Sequence, residues 1–332
     1  MKKVIMSICL LSVCLVMSSW GFLGHKTVQQ LAIYELPKSI APFFYKNREK
    51  LVYDAPRPDI RRSSDSTEAT KHFIDLEMYG TNAVNDMPLD WDAAVKKYTK
   101  DSLLKYGYVP YHVIYMKGKL TEAFREKNKD SILFYAADLG HYISDAHVPL
   151  HTTVNYDGQL SNQKGIHSLW ESMIPEIEIA NYTLNSNHQA TYLKHPEQAI
   201  WSAIRVSAAL VPVMLQQEIV VTKSFTEEQK FRTQMRRGKP SKSYTSEFAK
   251  AYAVALKSSI NDQLISSANL IADFYYTAWV DAGKPNLQDL NNVFTKADKK
   301  SLKAELDLYH QNGLIINDKL ISKKAAATKE EF

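Results

Sequence analysis

Between Leu139 and Glu171 the chain reads LGHYISDAHVPLHTTVNYDGQLSNQKGIHSLWE, and this stretch limits the possible folds more than any other. On a helix, His141 and Asp145 stand one turn apart and project from the same face. Pro149 ends that helix, His151 follows on the turn, and His167 and Glu171 repeat the four-residue spacing on the next helix. Three imidazoles and two carboxylates thus converge within one helix-loop-helix. Neutral imidazole nitrogen and carboxylate oxygen are both good zinc donors, so the pattern points to metal-ligand chemistry. One histidine alone would carry little weight. The joint pattern, in a chain holding only 10 histidines, carries much more.

The rest of the chain reads as helix. Thr27 to Leu36 places Val28, Leu31, Ala32 and Leu36 at helical spacing. Asp54 to Thr70 is rich in Pro, Ser, Arg and Asp and reads as a loop. Two helices are expected from Asp90 to Lys127, then the ligand-bearing helix from Lys129 to Ala146, with Ile132, Ala136, Leu139 and Ile143 as its core stripe. Glu197 to Ile219 reads as a helix kinked at Pro212, Lys230 to Lys242 as a basic exposed loop, and Ser246 to Ala282 as the longest helical run, stopped by Gly283 and Pro285. No alternation is long enough to build a sheet. The expected fold is all-α, one multi-helix domain over residues 20–285 followed by a polar, partly helical C-terminal extension over 286–332.

With 332 residues and 45% hydrophobic content, the chain can bury a full core. Residues 1–19 read as a signal peptide: Lys2 and Lys3 form a basic start, Val4 to Val16 an apolar run, and Met17-Ser18-Ser19 a cleavage region. That run is shorter than the about 20 residues needed to span a bilayer, and no later segment reads as long and apolar enough. The chain is therefore expected to be secreted or periplasmic. The two cysteines, Cys9 and Cys14, both lie in the signal, so the mature chain would have no disulfide and no thiolate ligand. Val13 before Cys14 argues against a lipid anchor. Removing Lys2 and Lys3 from the formal charge of +5 leaves +3, which fits polyanionic substrates or anionic membranes without selecting either.

These motifs resemble the superfamily of zinc-dependent phospholipases C and single-strand-specific zinc nucleases, all-α phosphodiesterases that hold three zinc ions and use the amine and carbonyl of a mature N-terminal tryptophan as ligands. Trp20 falls where cleavage would free it, and Trp20-Gly-Phe-Leu-Gly-His25 resembles the family's opening. The resemblance implies one zinc at Asp59, His72, His141 and Asp145. It implies a second at Trp20, His25 and Asp145, with Asp145 bridging, and a third at His151, His167 and Glu171. Asp54 and Asp65 compete with Asp59, which is preferred because Asp59-x-x-Arg62 matches the nuclease pattern in which the arginine contacts phosphate. Two zinc ions sharing a carboxylate acidify a common water toward neutrality and so supply hydroxide. Asp145 and Arg62 are accordingly the expected catalytic groups. Phe73 would stack a base or face a lipid head group, and Asp75 would accept a hydrogen bond from it. Asp138 is a candidate to orient His141, while His112, His147 and Trp170 read as structural, and the basic loop around Arg236 and Arg237 as solvated surface.

The opening, Asp59-x-x-Arg62 and Asp145-Ala-His-Val-Pro-Leu-His151 look like the nucleases. The short gap between His151 and His167, the final Glu171, and the long region beyond it look like the phospholipases. The reading that follows is a secreted phospholipase C-like phosphodiesterase, with peripheral membrane contact and no protein partner inferred. The alternative is a single-strand-specific nuclease releasing 5′-nucleotides. A non-catalytic secreted zinc-binding protein is the second alternative.

Overall fold

The computed structural model describes residues 22–236, 239–290 and 294–323. The signal, both cysteines, Trp20, Arg237 and the last nine residues lie outside the described residues. The fold is all-α, as expected, apart from one two-stranded hairpin.

Four helices frame the site. Helix α1 (Phe22–Tyr34) packs against α4 (Lys129–Asp145), which is flanked by α3 (Val109–Arg125) and α7 (Ser259–Asp281). One glycine permits the closest of these approaches. A Cβ on Gly140 would stand 2.4 Å from the Gln29 side chain of α1. Gln29 Nε2 instead donates to the Ala137 carbonyl at 2.9 Å, and its Oε1 accepts from Tyr275 Oη of α7 at 2.7 Å. That lock sits one residue before His141, so α1 delivers His25 directly against it.

Several expectations change. Asp54 to Thr70 is not all loop, because Arg57–Arg61 forms a short helix, α2. Its Pro58 near the N-terminus presets φ for the first turn, and Arg57 and Arg61 both bind Asp138 of α4, at 2.5 and 3.0 Å. Residues 90–127 hold three helices rather than two, since Thr99 and Gly107 adopt positive φ between them. The long run expected from Ser246 breaks at Lys257, φ +55, into α6 (Ser246–Leu256) and α7.

The stretch read as a basic loop is instead an antiparallel hairpin, β1 (Phe231–Arg236) paired with β2 (Lys239–Tyr244). Helix α5 (Pro196–Thr222) runs on through Pro212. By length and composition it could cross a bilayer, contrary to the sequence reading. Its Ile200, Trp201, Ile204 and Met214 nevertheless pack into the domain, as in a core helix covered on one side.

The residues read as a C-terminal extension lie along α1. Helix α8 (Lys296–His310) buries Tyr309, whose hydroxyl donates to Glu35 at 2.6 Å. Beyond it, the Lys319 carbonyl accepts from Gln30 Nε2 at 2.8 Å, and Ser322 Oγ pairs with Thr27 Oγ1 at 2.9 Å.

Candidate metal centre

Three segments remote in sequence meet at Asp145. Its Oδ2 lies 2.8 Å from His72 Nδ1 and 3.2 Å from His141 Nε2. Its Oδ1 lies 3.6 Å from His25 Nε2 and 3.5 Å from His151 Nδ1. Asp59, on α2, reaches His72 Nδ1 at 3.7 Å and His25 and His141 at 3.9 Å. Asp54, its competitor, pairs instead with Lys50 and Arg57, and Asp65 caps Thr67. Neither reaches the imidazoles.

The second group is local. His151 sits on a 3-10 turn over Pro149–Thr152, and His167 and Glu171 follow on a helix that widens into a π turn over Leu169–Met173. His167 Nε2 is 2.6 Å from Glu171 Oε2 and 3.2 Å from His151 Nε2. Glu171 Oε1 also stands 3.9 Å from His25 Nε2, so the two groups adjoin.

The donor set fits divalent metal. His72 Nδ1 and His141 Nε2 face one another at 3.1 Å, as do the Nε2 atoms of His151 and His167 at 3.2 Å. Facing lone pairs at that separation need a proton or a cation between them. Among the described residues the buried His25 Nδ1 and His151 Nδ1 find no hydrogen-bond partner, and three donor triads satisfy ligand spacing: His25–His141–Asp145, Asp59–His72–His141 and His151–His167–Glu171.

Electrostatics agree with that fit. Burial opposes charge on Asp145, but His141 and His72 overcome it and hold the carboxyl well below its ordinary range. Burial likewise opposes protonation of His141, yet Asp145 and Asp59 lift it to about 9. In His25 burial wins, with His141 adding to it, and the imidazole falls to about 4. Glu171 is held low against burial by its hydrogen bonds to His151 and His167, and His167 is raised by Glu171 despite its own burial.

The groups behind the donors differ from the expectation. Asp138 does not orient His141, because the two arginines of α2 occupy it. His141 Nδ1–H instead donates to the Ala55 carbonyl at 2.9 Å. Glu68, fully buried, faces His72 Nε2 at 3.6 Å and accepts from Arg61 at 3.0 Å and from Tyr142. The reading of the sequence missed Glu68, although Glu68-x3-His72 repeats the spacing that exposed the other pairs. His112 and His147 are buried, His147 Nδ1–H donating to the Ile143 carbonyl at 2.7 Å, and Trp170 is core.

Around the donors, Arg62 is half exposed, pairs with Asp59 at 3.5 Å, and its charge opposes protonation of His167. Phe73 covers Gly107, where a Cβ would collide with it at 2.6 Å. The Asp75 carboxylate accepts no hydrogen bond among the described residues, and burial, reinforced by Glu77, raises it to about 6.

The mostly helical domain gathers imidazoles and carboxylates about one shared carboxylate, the donor set of a protein that binds divalent metal. The model of the S1/P1 nuclease family matches residues 20–275, and the chain belongs to that family. It is a zinc-dependent phosphodiesterase of the nuclease type. No curated protein matches it. The match favours the nuclease alternative over the phospholipase C-like reading, and nothing in it supports phospholipid substrate or membrane contact. Glu171 and the short His151–His167 gap, which resemble the phospholipases, both lie inside the matched span.

Proposed function

We propose that the chain is an exported nuclease that cleaves single-stranded nucleic acid and releases 5′-nucleotides. The nuclease-family match over residues 20–275 carries this reading, and the position of Asp145, whose two oxygens face His25 and His151 on one side and His72 and His141 on the other, supports the metal chemistry beneath it. Asp59, His72, His141 and Asp145 would hold one zinc. The Trp20 amine and carbonyl with His25 and Asp145 would hold a second, and His151, His167 and Glu171 the third. Zinc held there would supply Lewis acidity and lower the pKa of water toward neutrality.

The chain's own residues do the rest. Asp145, ionised against its burial, holds negative charge between the donor groups. Arg62 offers a fork of donors to phosphate beside the more exposed group of His151, His167 and Glu171, the rim group. Phe73 presents a ring for base stacking and Asp75, two residues on, an unpaired acceptor for the base edge. The apolar run ahead of Ser19 supports export, and the family match begins at Trp20, the residue that cleavage would free. Members of the family are typically secreted.

The test is incubation of zinc-replete mature protein with single-stranded DNA, RNA and phosphatidylcholine. Release of 5′-nucleotides is expected. Phosphocholine release alone would restore the phospholipase reading. Tight zinc with no product from any substrate would favour the binding protein.

A further inference from the structure

The hairpin and the end of α5 bury a charge pair that no step of phosphodiester cleavage requires. Glu218 and Lys230 are both buried, and Lys230 Nζ lies 2.7 Å from Glu218 Oε1. Phe231, Tyr244 and Phe248 surround the ammonium at 5.0, 5.8 and 5.4 Å from their ring centres. A buried pair of this kind is costly to desolvate and strongly destabilising to break.

The other oxygen of Glu218 faces away from the lysine. It accepts from Gln163 Nε2 at 2.7 Å, and the same nitrogen reaches the Leu215 carbonyl at 2.8 Å. Tyr244 Oη shares its one proton between Glu218 Oε1 at 3.1 Å and, more distantly, the Gln163 carbonyl at 3.4 Å.

Gln163 is also the hinge point of the loop between His151 and His167. Its N–H donates to the Gly158 carbonyl at 2.8 Å, and its own carbonyl accepts from Ile166 N–H at 3.2 Å. A Cβ on Gly158 would stand 2.4 Å from that carbonyl, so only glycine allows the loop to close so tightly. Ile166 begins the helix whose next residue is His167. A path of short polar contacts therefore runs from Lys230 through Glu218 and Gln163 to the start of the helix bearing two rim donors.

We propose that Gln163, fixed by the Glu218–Lys230 pair, is a positioning residue for the zinc site of His151, His167 and Glu171, with the hairpin as its lock. The inference rests on the three-site reading above. Outer groups that fix ligand geometry change metal affinity by about 10–100-fold when removed, and Gln163 acts at that level through the backbone of the loop.

The test compares wild type with Gln163→Met, nearly isosteric but without the amide, and with Tyr244→Phe, which removes one hydroxyl. Zinc per chain, the rate of zinc loss to a chelator, and the melting temperature of zinc-free protein are read together. Wild type should hold three zinc ions. Gln163→Met should hold two after dialysis, or surrender one ion at least about 10-fold faster, and Tyr244→Phe should show the same selective loss more weakly. A purely structural role would lower the melting temperature of the zinc-free protein and leave the chelator profile unchanged. Three zincs retained at wild-type rates in both variants would overturn the proposal. Should Gln163→Met fail to fold, Tyr244→Phe decides alone. A wild type that holds only two zincs would sink the three-site reading itself, an outcome separable from the first because no variant enters it.

Discussion

The two halves of the centre are built in opposite ways. His25, His72, His141 and Asp145 are all no more than 2% exposed and come from α1, the segment after α2, and α4, with Asp59 of α2 at their edge, 18% exposed at the side chain. His151, His167 and Glu171 are 11–26% exposed at the side chain and come from one stretch of 21 residues. The first half is fixed by the packing of the whole domain, through contacts such as Gln29 on Gly140 and Asp138 on Arg57 and Arg61. The second half is fixed by a single loop and whatever holds it. Burial therefore buys rigidity for one half, and local chain closure supplies it for the other.

That contrast is broken most directly at its shared residue. On the proposed three-site arrangement, Asp145→Asn should remove two of the three zinc ions and reduce cleavage to background, because one carboxylate would serve both buried sites. Glu171→Gln should remove only the rim zinc and leave the buried pair in place. Metal analysis of both purified variants checks this. If Asp145→Asn loses no more zinc than Glu171→Gln, the bridge and the division of the centre are both wrong.

Protonation sharpens the comparison next. In the metal-free protein His141 is raised to about 9, so it holds its proton at neutral pH, whereas His25, lowered to about 4, is already neutral. A ligand must lose its proton to bind metal, so zinc affinity of the buried half should rise with pH until about 9 and fall on acidification. Calorimetry in buffers of different ionisation enthalpy should detect net proton release on zinc binding at pH 7. Zinc uptake with no proton release there would contradict the charge arrangement described around Asp145.

The smallest expected effect lies outside both halves. Arg62→Ala should keep every zinc and weaken kcat/KM by about 10–100-fold, the value of a hydrogen bond to a charged group. A variant that also lost metal would place Arg62 in the scaffold of Asp59 rather than on the substrate.

The same division explains how much could be read in advance. The rim donors and the His141–Asp145 pair were legible because helical periodicity alone puts residues four apart on one face. Glu68 had the same spacing to His72 and was overlooked. Asp138 precedes His141 by one turn, but Arg57 and Arg61 of α2 bind it at 2.5 and 3.0 Å. The hairpin was hidden because Lys230 to Lys242 is too polar to look like a strand. Its pairing is fixed from outside, by Phe231 and Tyr244 closing over a buried lysine. The break in the helical run at Lys257 left no glycine or proline to mark it.

The sequence by itself determined that the chain is helical and that imidazoles and carboxylates recur at one-turn intervals in its middle, since both follow from local periodicity. Only the tertiary structure decided that Asp59, rather than Asp54 or Asp65, faces those imidazoles, and that a carbonyl and a buried glutamate stand behind them. Choices of that kind depend on which distant side chains reach a common point first, and no local pattern records the distance.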